Sequence, residues 1–413
     1  MAIVRPFMAV RPSRAYVEKV IALPYDVMNT EEARDMAKGN PYSFLNVSRA
    51  EINLEKGANP YAREVYEKSK ETISQFLEKG IFVKESKPMI YVYRQTMGEY
   101  VQTGIVACVS IDEYKNNIIK KHELTRVDKE KDRINHFDIC NANTEPVFLT
   151  YRDNKKIRSL IESYISNHGK EYDITTDDNV RHEFWAVSND NVISGICGLF
   201  MTIPAFYIAD GHHRTASAYK VGMKRREENP EYTGREEFNY FMAAIFPDED
   251  LKIFDYNRVI KDLNGNTIDE FINKVEEAGF EVTKKGTEPF RPERKTQFGM
   301  FLDKNWYCVE LKPGNKPEGL IEGLDVAILQ DKILNPILGI EDPRTDKRID
   351  FIGGIRGLAE LEKRATTDMK VAFAVHPVDI NDILEVSDNG LTMPPKSTWF
   401  EPKLASGLFL HEL

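Results

Sequence analysis

The chain has 413 residues, 41% hydrophobic and 30% charged, with a formal net charge of -10 at pH 7. That length exceeds one typical domain and predicts two or three. The negative balance argues against broad, sequence-independent attraction to nucleic acid, which needs a basic face.

In chain order, a short strand is expected at Ile3-Val4-Arg5-Pro6-Phe7. A Pro24-Tyr25-Asp26-Val27 turn follows, and a helix opens near Thr30, where Glu31 and Glu32 favour the helix dipole. Residues 60–79 carry Tyr61, Val65, Ile73 and Phe76 near helical spacing. Strands resume at 89–94 and 101–109, and Met97-Gly98-Glu99 between them predicts a hairpin. A charged helix is expected through Asp132-Arg133 to about Cys140, then a strand at 146–151. The run 205–208 reads as a strand that feeds the Asp210 turn and its helix, and 241–246 as a buried strand. Beyond Pro247, helices are expected at 266–280, 325–334 and 380–385. A hairpin is expected at 297–301 with 306–311, and a strand at 370–375. Mixed hairpins and helices indicate α+β rather than doubly wound α/β.

The four cysteines form no CxxC pair, so neither a zinc ribbon nor a redox dithiol is indicated. Cys108 and Cys197 lie in apolar runs and read as core thiols, a pattern suited to a reducing cytoplasm. The first residues lack the long apolar region of a signal peptide, and no run of ~18 apolar residues predicts a membrane span.

Ala209-Asp210-Gly211-His212-His213-Arg214-Thr215 carries the strongest chemical signal. A strand, a glycine turn and a helix rich in small residues make the layout of a phosphate site. The helix start offers free N–H groups and the positive end of its dipole. Gly211 lets the backbone approach a ligand, while the acid, imidazoles and guanidinium offer a metal ligand, proton carriers and a charge clamp. The plainer alternative is a polar helix cap. No GxxxxGK[ST] is present, so the chain is not a P-loop protein. A second group is His122-Glu123 with Thr125, Lys129, Asp132 and Arg133, either an acid–imidazole proton acceptor pair or a solvated charge run. Asp26, in its Pro-Tyr-Asp turn, either faces a cleft or makes an ordinary Asx turn. No HExxH or similar spacing indicates structural zinc. The run 393–408, dense in aromatics, Pro and Lys, predicts a docked chain end, with Lys396 and Lys403 as phosphate contacts or packing alone as its reason.

These segments recur together in a known order: 3–7, 24–27, Asn40-Pro41-Tyr42-Ser43-Phe44-Leu45-Asn46-Val47, His122-Glu123-x-Thr125, 209–214, and Lys396-Ser397-Thr398 to Gly407-Leu408. Over nearly its whole length the chain resembles the bacterial and archaeal domain of unknown function 1015 family. It departs at Asn257-Arg258, where that family often carries His-Arg. The middle segment also resembles the ParB/sulfiredoxin superfamily, in particular its free-serine kinase branch. The likeness lies in a His-Glu pair similar to His122-Glu123 and an Asp-Gly-His-x-Arg turn similar to Asp210–Arg214.

The resemblance implies an α+β fold with a ParB/sulfiredoxin-like mixed α/β core and added N-terminal and C-terminal α+β elements. Residues 1–88 would pack on a nucleotide-binding core at 89–247, with a C-terminal domain at 248–413. It implies Glu123 as general base beside His122. Gly211, His212, His213, Arg214 and Thr215 would hold phosphate, with Asp210 near the transferred group or its Mg²⁺. Tyr25, Asp26, Thr125 and Arg133 are the expected substrate contacts. The implied function is a nucleotide-dependent kinase for a small hydroxylated metabolite, free L-serine first, using ATP or ADP, with CTP also admitted. The alternative is a ParB-like nucleotide-binding or hydrolysing regulator; a homodimer is compatible with both. Sulfiredoxin-like repair needs a Cys in the phosphate turn, where His212 stands.

Overall fold

Strand Ile90–Met97 and strand Tyr100–Ser110 pair antiparallel across a two-residue Gly98-Glu99 turn, as the hairpin pattern requires. Gly98 takes φ +59°, the left-handed conformation such tight turns demand. The computed structural model describes all residues 1–413, and they form two compact units. The first holds 1–121, 125–251 and 402–413; the second holds 122–124 and 252–401. Segments 1–88 and 89–247, apart from 122–124, thus share one unit, and the long stretch of the other begins at Lys252.

The hairpin lies within the first unit's eight-stranded mixed sheet. Phe206–Asp210 runs parallel to Ile119–Lys120 and antiparallel to Val147–Tyr151, which runs parallel to Tyr240–Pro247. One face buries Ile90, Val92, Ile105, Leu149 and Ile208 against Ile157, Ile161, Ile193 and Ile196 of two helices, Lys155–Asn167 and Asp190–Phe200. Helix Arg63–Glu78 places Ile73 and Phe76 in a smaller core with Phe44, Val47 and Leu410, so the end of the chain is docked here. Residues 3–7 make only isolated bridges, Arg5 to Cys108 and Phe7 to Met89, rather than the expected strand. Arg5 and Phe7 thus bond to two different segments, so no continuous ladder forms. Cys108 is fully buried and Cys197 half-buried against the same core; all four cysteines are free. No helix is long and apolar enough to cross a membrane.

The second unit centres on a six-stranded antiparallel sheet. Strand Gln297–Leu302 alternates: Phe298, Met300 and Leu302 pack with Phe271 and Val275 of one helix, while Phe301 packs with Leu361 of another. The expected helix 325–334 begins as α-helix at Asp325–Leu329 and widens into a π-turn at Gln330–Leu334. Asn257 is buried; its amide donates to Asp255 at 2.6 Å and accepts the Val375 N–H at 3.0 Å. It serves here as a strand brace.

The N-terminal segment is anchored by the Ile3 N–H donating to Glu113 Oε1 at 2.7 Å. Burial pushes the Glu113 carboxyl up to about 7, although the Ile3 N–H favours its ionised form. A carboxyl raised on folding prefers the protonated native state. Its effect on stability is therefore neutral below the unfolded value near 4.5 and becomes a growing cost up to about pH 7. Denaturation of Glu113→Gln should show a gain in stability over wild type at pH 8. That gain should shrink toward pH 4.5; a pH-independent difference would remove Glu113 as its source.

Candidate functional site

The Asp210 turn begins with an irregularity in the sheet. Ile208 lies opposite Leu149 but Asp210 opposite Phe148, so the register shifts at Ala209. Such a bulge re-aims the next side chain and ends the pairing. Gly211 follows at φ +94° and caps helix His212–Glu228 without a side-chain hydrogen bond to the helix. The Thr215 N–H and hydroxyl both donate to Gly211 O, at 2.9 and 3.0 Å, and close the turn. The His212, His213 and Arg214 N–H groups sit at the positive end of a 17-residue helix.

Arg214 is 3% exposed. Its Nη1 donates to Pro146 O at 2.5 Å and its Nη2 to Asp210 Oδ2 at 2.8 Å. Its Nε is buried without a hydrogen-bond partner. The guanidinium lies so close under the turn that a Cβ on residue 211 would stand 3.0 Å from Nε. Gly211→Ala should therefore cost about 1–2 kcal/mol from the left-handed backbone alone and push Arg214 aside. Denaturation and nucleotide titration of that variant check both effects; unchanged nucleotide affinity would sever the turn from binding.

Helix Val127–Cys140 brings a second buried guanidinium. Arg133 Nε and Nη2 lie 3.0 and 2.8 Å from Asp132 Oδ2, and the Tyr66 hydroxyl donates to Asp132 Oδ1 at 2.9 Å. With Asp132 committed to these partners, Arg133 Nη1 is left buried and unsatisfied. The Arg133 guanidinium stands 4.1 Å over the Tyr25 ring. An unmet donor on a buried cation is costly, and an anionic ligand relieves it.

Electrostatics ties these groups together. Burial opposes the charge of Arg214, but Asp210, Asp26 and Glu145 outweigh it and hold the guanidinium above its ordinary value. Burial likewise opposes Arg133, outweighed by Tyr25, Asp132 and Glu145. Burial pushes the Tyr25 phenol up, against the pull of Arg133 and Arg214. Burial also raises Glu145, whose Oε1 accepts the Ser406 hydroxyl at 2.5 Å. Tyr25, Asp26, Arg133, Asp210 and Arg214 are thus brought into one cluster within the first unit.

A cleft of about 270 Å³ opens beside Arg133, lined also by Tyr25, Arg49, Glu51, Lys129 and His136. Burial and Arg133 hold His136 well below its usual value, so it lines the cleft as a neutral imidazole. Thr125 donates to Glu130, which also pairs with Lys220, and the Arg126 N–H donates to His213 Nε2 at 3.0 Å. These bonds fix the approach to the charged helix. His122 and Glu123 group with the second unit, where His122 O accepts the Met393 N–H at 2.8 Å.

Glu145 and Tyr66 were not singled out from sequence, whereas Asp132 was named with Arg133. Glu145 follows Asn141-Ala142-Asn143-Thr144, a polar run directly before a buried strand, and that was its available signal. No group of three or more His, Cys, Asp or Glu side chains is arranged to hold a metal ion. Asp210 is the acid beside the turn, so Mg²⁺ there would draw its other ligands from water and phosphate oxygens, as this cation commonly does.

Among curated proteins no match is found. Among solved structures, a free serine kinase in complex with AMP aligns at 15% identity over 73% of this chain and 92% of its own, with a TM-score of 0.37. A conserved hypothetical protein from Pyrococcus furiosus aligns at 15% identity, covering 74% and 95%, with a TM-score of 0.36. SbnI with C-terminal truncation from Staphylococcus aureus aligns at 11% identity, covering 74% and 87%, with a TM-score of 0.41. A family profile described as "Protein of unknown function (DUF1015)" matches residues 4–327.

Proposed function

The chain belongs to the DUF1015 family of proteins of unknown function, and from that premise we propose that it is a nucleotide-dependent phosphotransferase acting on a small hydroxylated metabolite, with free L-serine as the first acceptor to try. The observation that carries the reading is the Gly211 turn. A helix start whose capping residue is a glycine at positive φ stands over a buried arginine whose Nε has no hydrogen-bond partner. That is an anion site built at an energetic cost which a bound phosphate repays.

In this reading Gly211 and the N–H groups of His212, His213 and Arg214 hold the phosphates of ATP or ADP, with Thr215 bracing the turn. Arg133 and the cleft beside Tyr25 take the acceptor. Glu123 is nominated as the base for the acceptor hydroxyl by the likeness of His122-Glu123 to the serine-kinase motif alone. The hydroxyl oxygen bonds to the terminal phosphorus as the bond from phosphorus to the nucleotide oxygen breaks. Phosphoryl transfer asks mainly for placement and charge stabilisation, and two guanidiniums and a helix start supply these. Bound near Asp210, Mg²⁺ would neutralise phosphate charge. A ParB/sulfiredoxin-like core and a cytoplasmic location belong to the same reading.

The test is phosphorus NMR of the protein with Mg²⁺, each of ATP, ADP and CTP, and a panel of amino acids and sugars. A new phosphomonoester with serine, lost in Asp210→Asn, supports the reading. Nucleotide binding with no acceptor product overturns it in favour of a nucleotide-gated regulator.

A further inference from the structure

The second unit contains a cavity of about 180 Å³ that the phosphotransfer reading does not use. Its wall includes Asp325, which is 6% exposed. Asp325 Oδ1 accepts the Thr296 N–H at 2.8 Å, while Oδ2 is buried with no hydrogen-bond partner. A buried carboxylate oxygen without a donor costs free energy that a ligand's N–H can recover. The neighbouring cation does not supply it: Lys295 Nζ is taken by Asp379 at 2.7 Å and Asp382 at 2.8 Å.

The remaining groups define the ligand. His376 Nδ1 donates to Pro377 O at 3.0 Å, which fixes the ring in the cavity wall. Lys316 stands at the mouth and is exposed. Leu324 and Val378 give the cavity an apolar side. The loop closes tightly, with the Gly323 N–H donating to Gly319 O at 3.1 Å; a Cβ on Gly323 would stand 2.8 Å from that oxygen. The interior therefore asks for a donor cation, the mouth for an anion, and the side for a short aliphatic group.

We propose that this cavity binds a small aliphatic α-amino acid as its zwitterion, with the ammonium on Asp325 Oδ2 and the carboxylate on Lys316. Lys295 and Asp382 pair with each other, so a lone cation would leave Lys316 unmatched and a lone anion would leave Asp325 unmatched. Only a ligand with both charges satisfies both ends. Burial raises the Asp325 carboxyl to about 6, opposed by the Thr296 N–H, His376, Lys295 and Lys316. An ammonium ligand favours the ionised form, so binding weakens as pH falls below about 6.

The test is calorimetric titration of the full chain, without nucleotide, using L-alanine, which has no hydroxyl to accept a phosphoryl group. L-alanine should bind at pH 7.5, while ethylamine and propionate, each carrying one charge, should bind at least tenfold more weakly. Asp325→Asn keeps the shape and should weaken alanine binding by about tenfold or more. Lys316→Ala, at an exposed position, should weaken it several-fold. Near pH 6, binding should release protons in wild type but not in Asp325→Asn, a difference that packing alone would not produce. Absence of alanine binding, equal binding of ethylamine, or unchanged affinity in Asp325→Asn overturns the proposal. None of these outcomes depends on the phosphotransfer reading.

Discussion

Arg214→Met is expected to abolish nucleotide binding and to lower the stability of the first unit by about 3 kcal/mol. The side chain is 3% exposed and carries two separate duties. Its Nη1 satisfies Pro146 O and its Nη2 satisfies Asp210. Its charge also offsets Asp26 and Glu145. Methionine fills much of the volume but leaves those acids without their cation and Pro146 O without its donor. Arg214→Lys separates the duties: it keeps the charge but lacks the planar fork that reaches two acceptors at fixed angles. It should recover part of the stability and little of the binding. Nucleotide titration and chemical denaturation of both variants provide the check. Near-native affinity in Arg214→Met would end the assignment of the Gly211 turn as a phosphate site.

Glu123→Gln should lower turnover by about 10²–10⁴-fold, the usual contribution of a general base. Nucleotide affinity should stay within a few-fold of wild type, because the amide keeps the size of the side chain and the Gly211 turn is untouched. Single-turnover phosphate transfer and nucleotide titration on the same preparation give the two numbers. Equal loss of both would make Glu123 a structural residue. Loss of neither would leave the base unassigned and favour a binder over a kinase.

Much of the scaffold was legible because it follows from local rules. The Gly98 hairpin, the helix opening at Thr30, and strand Val147–Tyr151 all appear where periodicity and turn chemistry put them. At the Thr30 helix the Asn29 side chain and Glu32 form a reciprocal cap, the pattern expected from an Asn three residues before a Glu. The segment 3–7 failed as a strand because Arg5 pairs with Cys108 and Phe7 with Met89, and the sequence does not show that its two bonding residues face different segments. The helix expected at 325–334 was right in place but not in winding, since a π-turn is not encoded in hydrophobic spacing.

The sequence by itself determined the candidate phosphate turn. A strand, Asp210-Gly211 and a helix start are contiguous, and a glycine at positive φ is a local requirement. Only the tertiary structure decided what surrounds that turn. Tyr25, Arg133, Glu145 and Arg214 lie on separate segments, and nothing in their spacing states that they share one electrostatic environment. The unspent donors on Arg133 and Arg214 are likewise properties of packing. So is the division that puts 402–413 with the first unit and 122–124 with the second. Local structure depends on neighbours within a few residues, which a sequence displays. Burial of charge depends on which distant segments remove the water, and only the folded chain determines that.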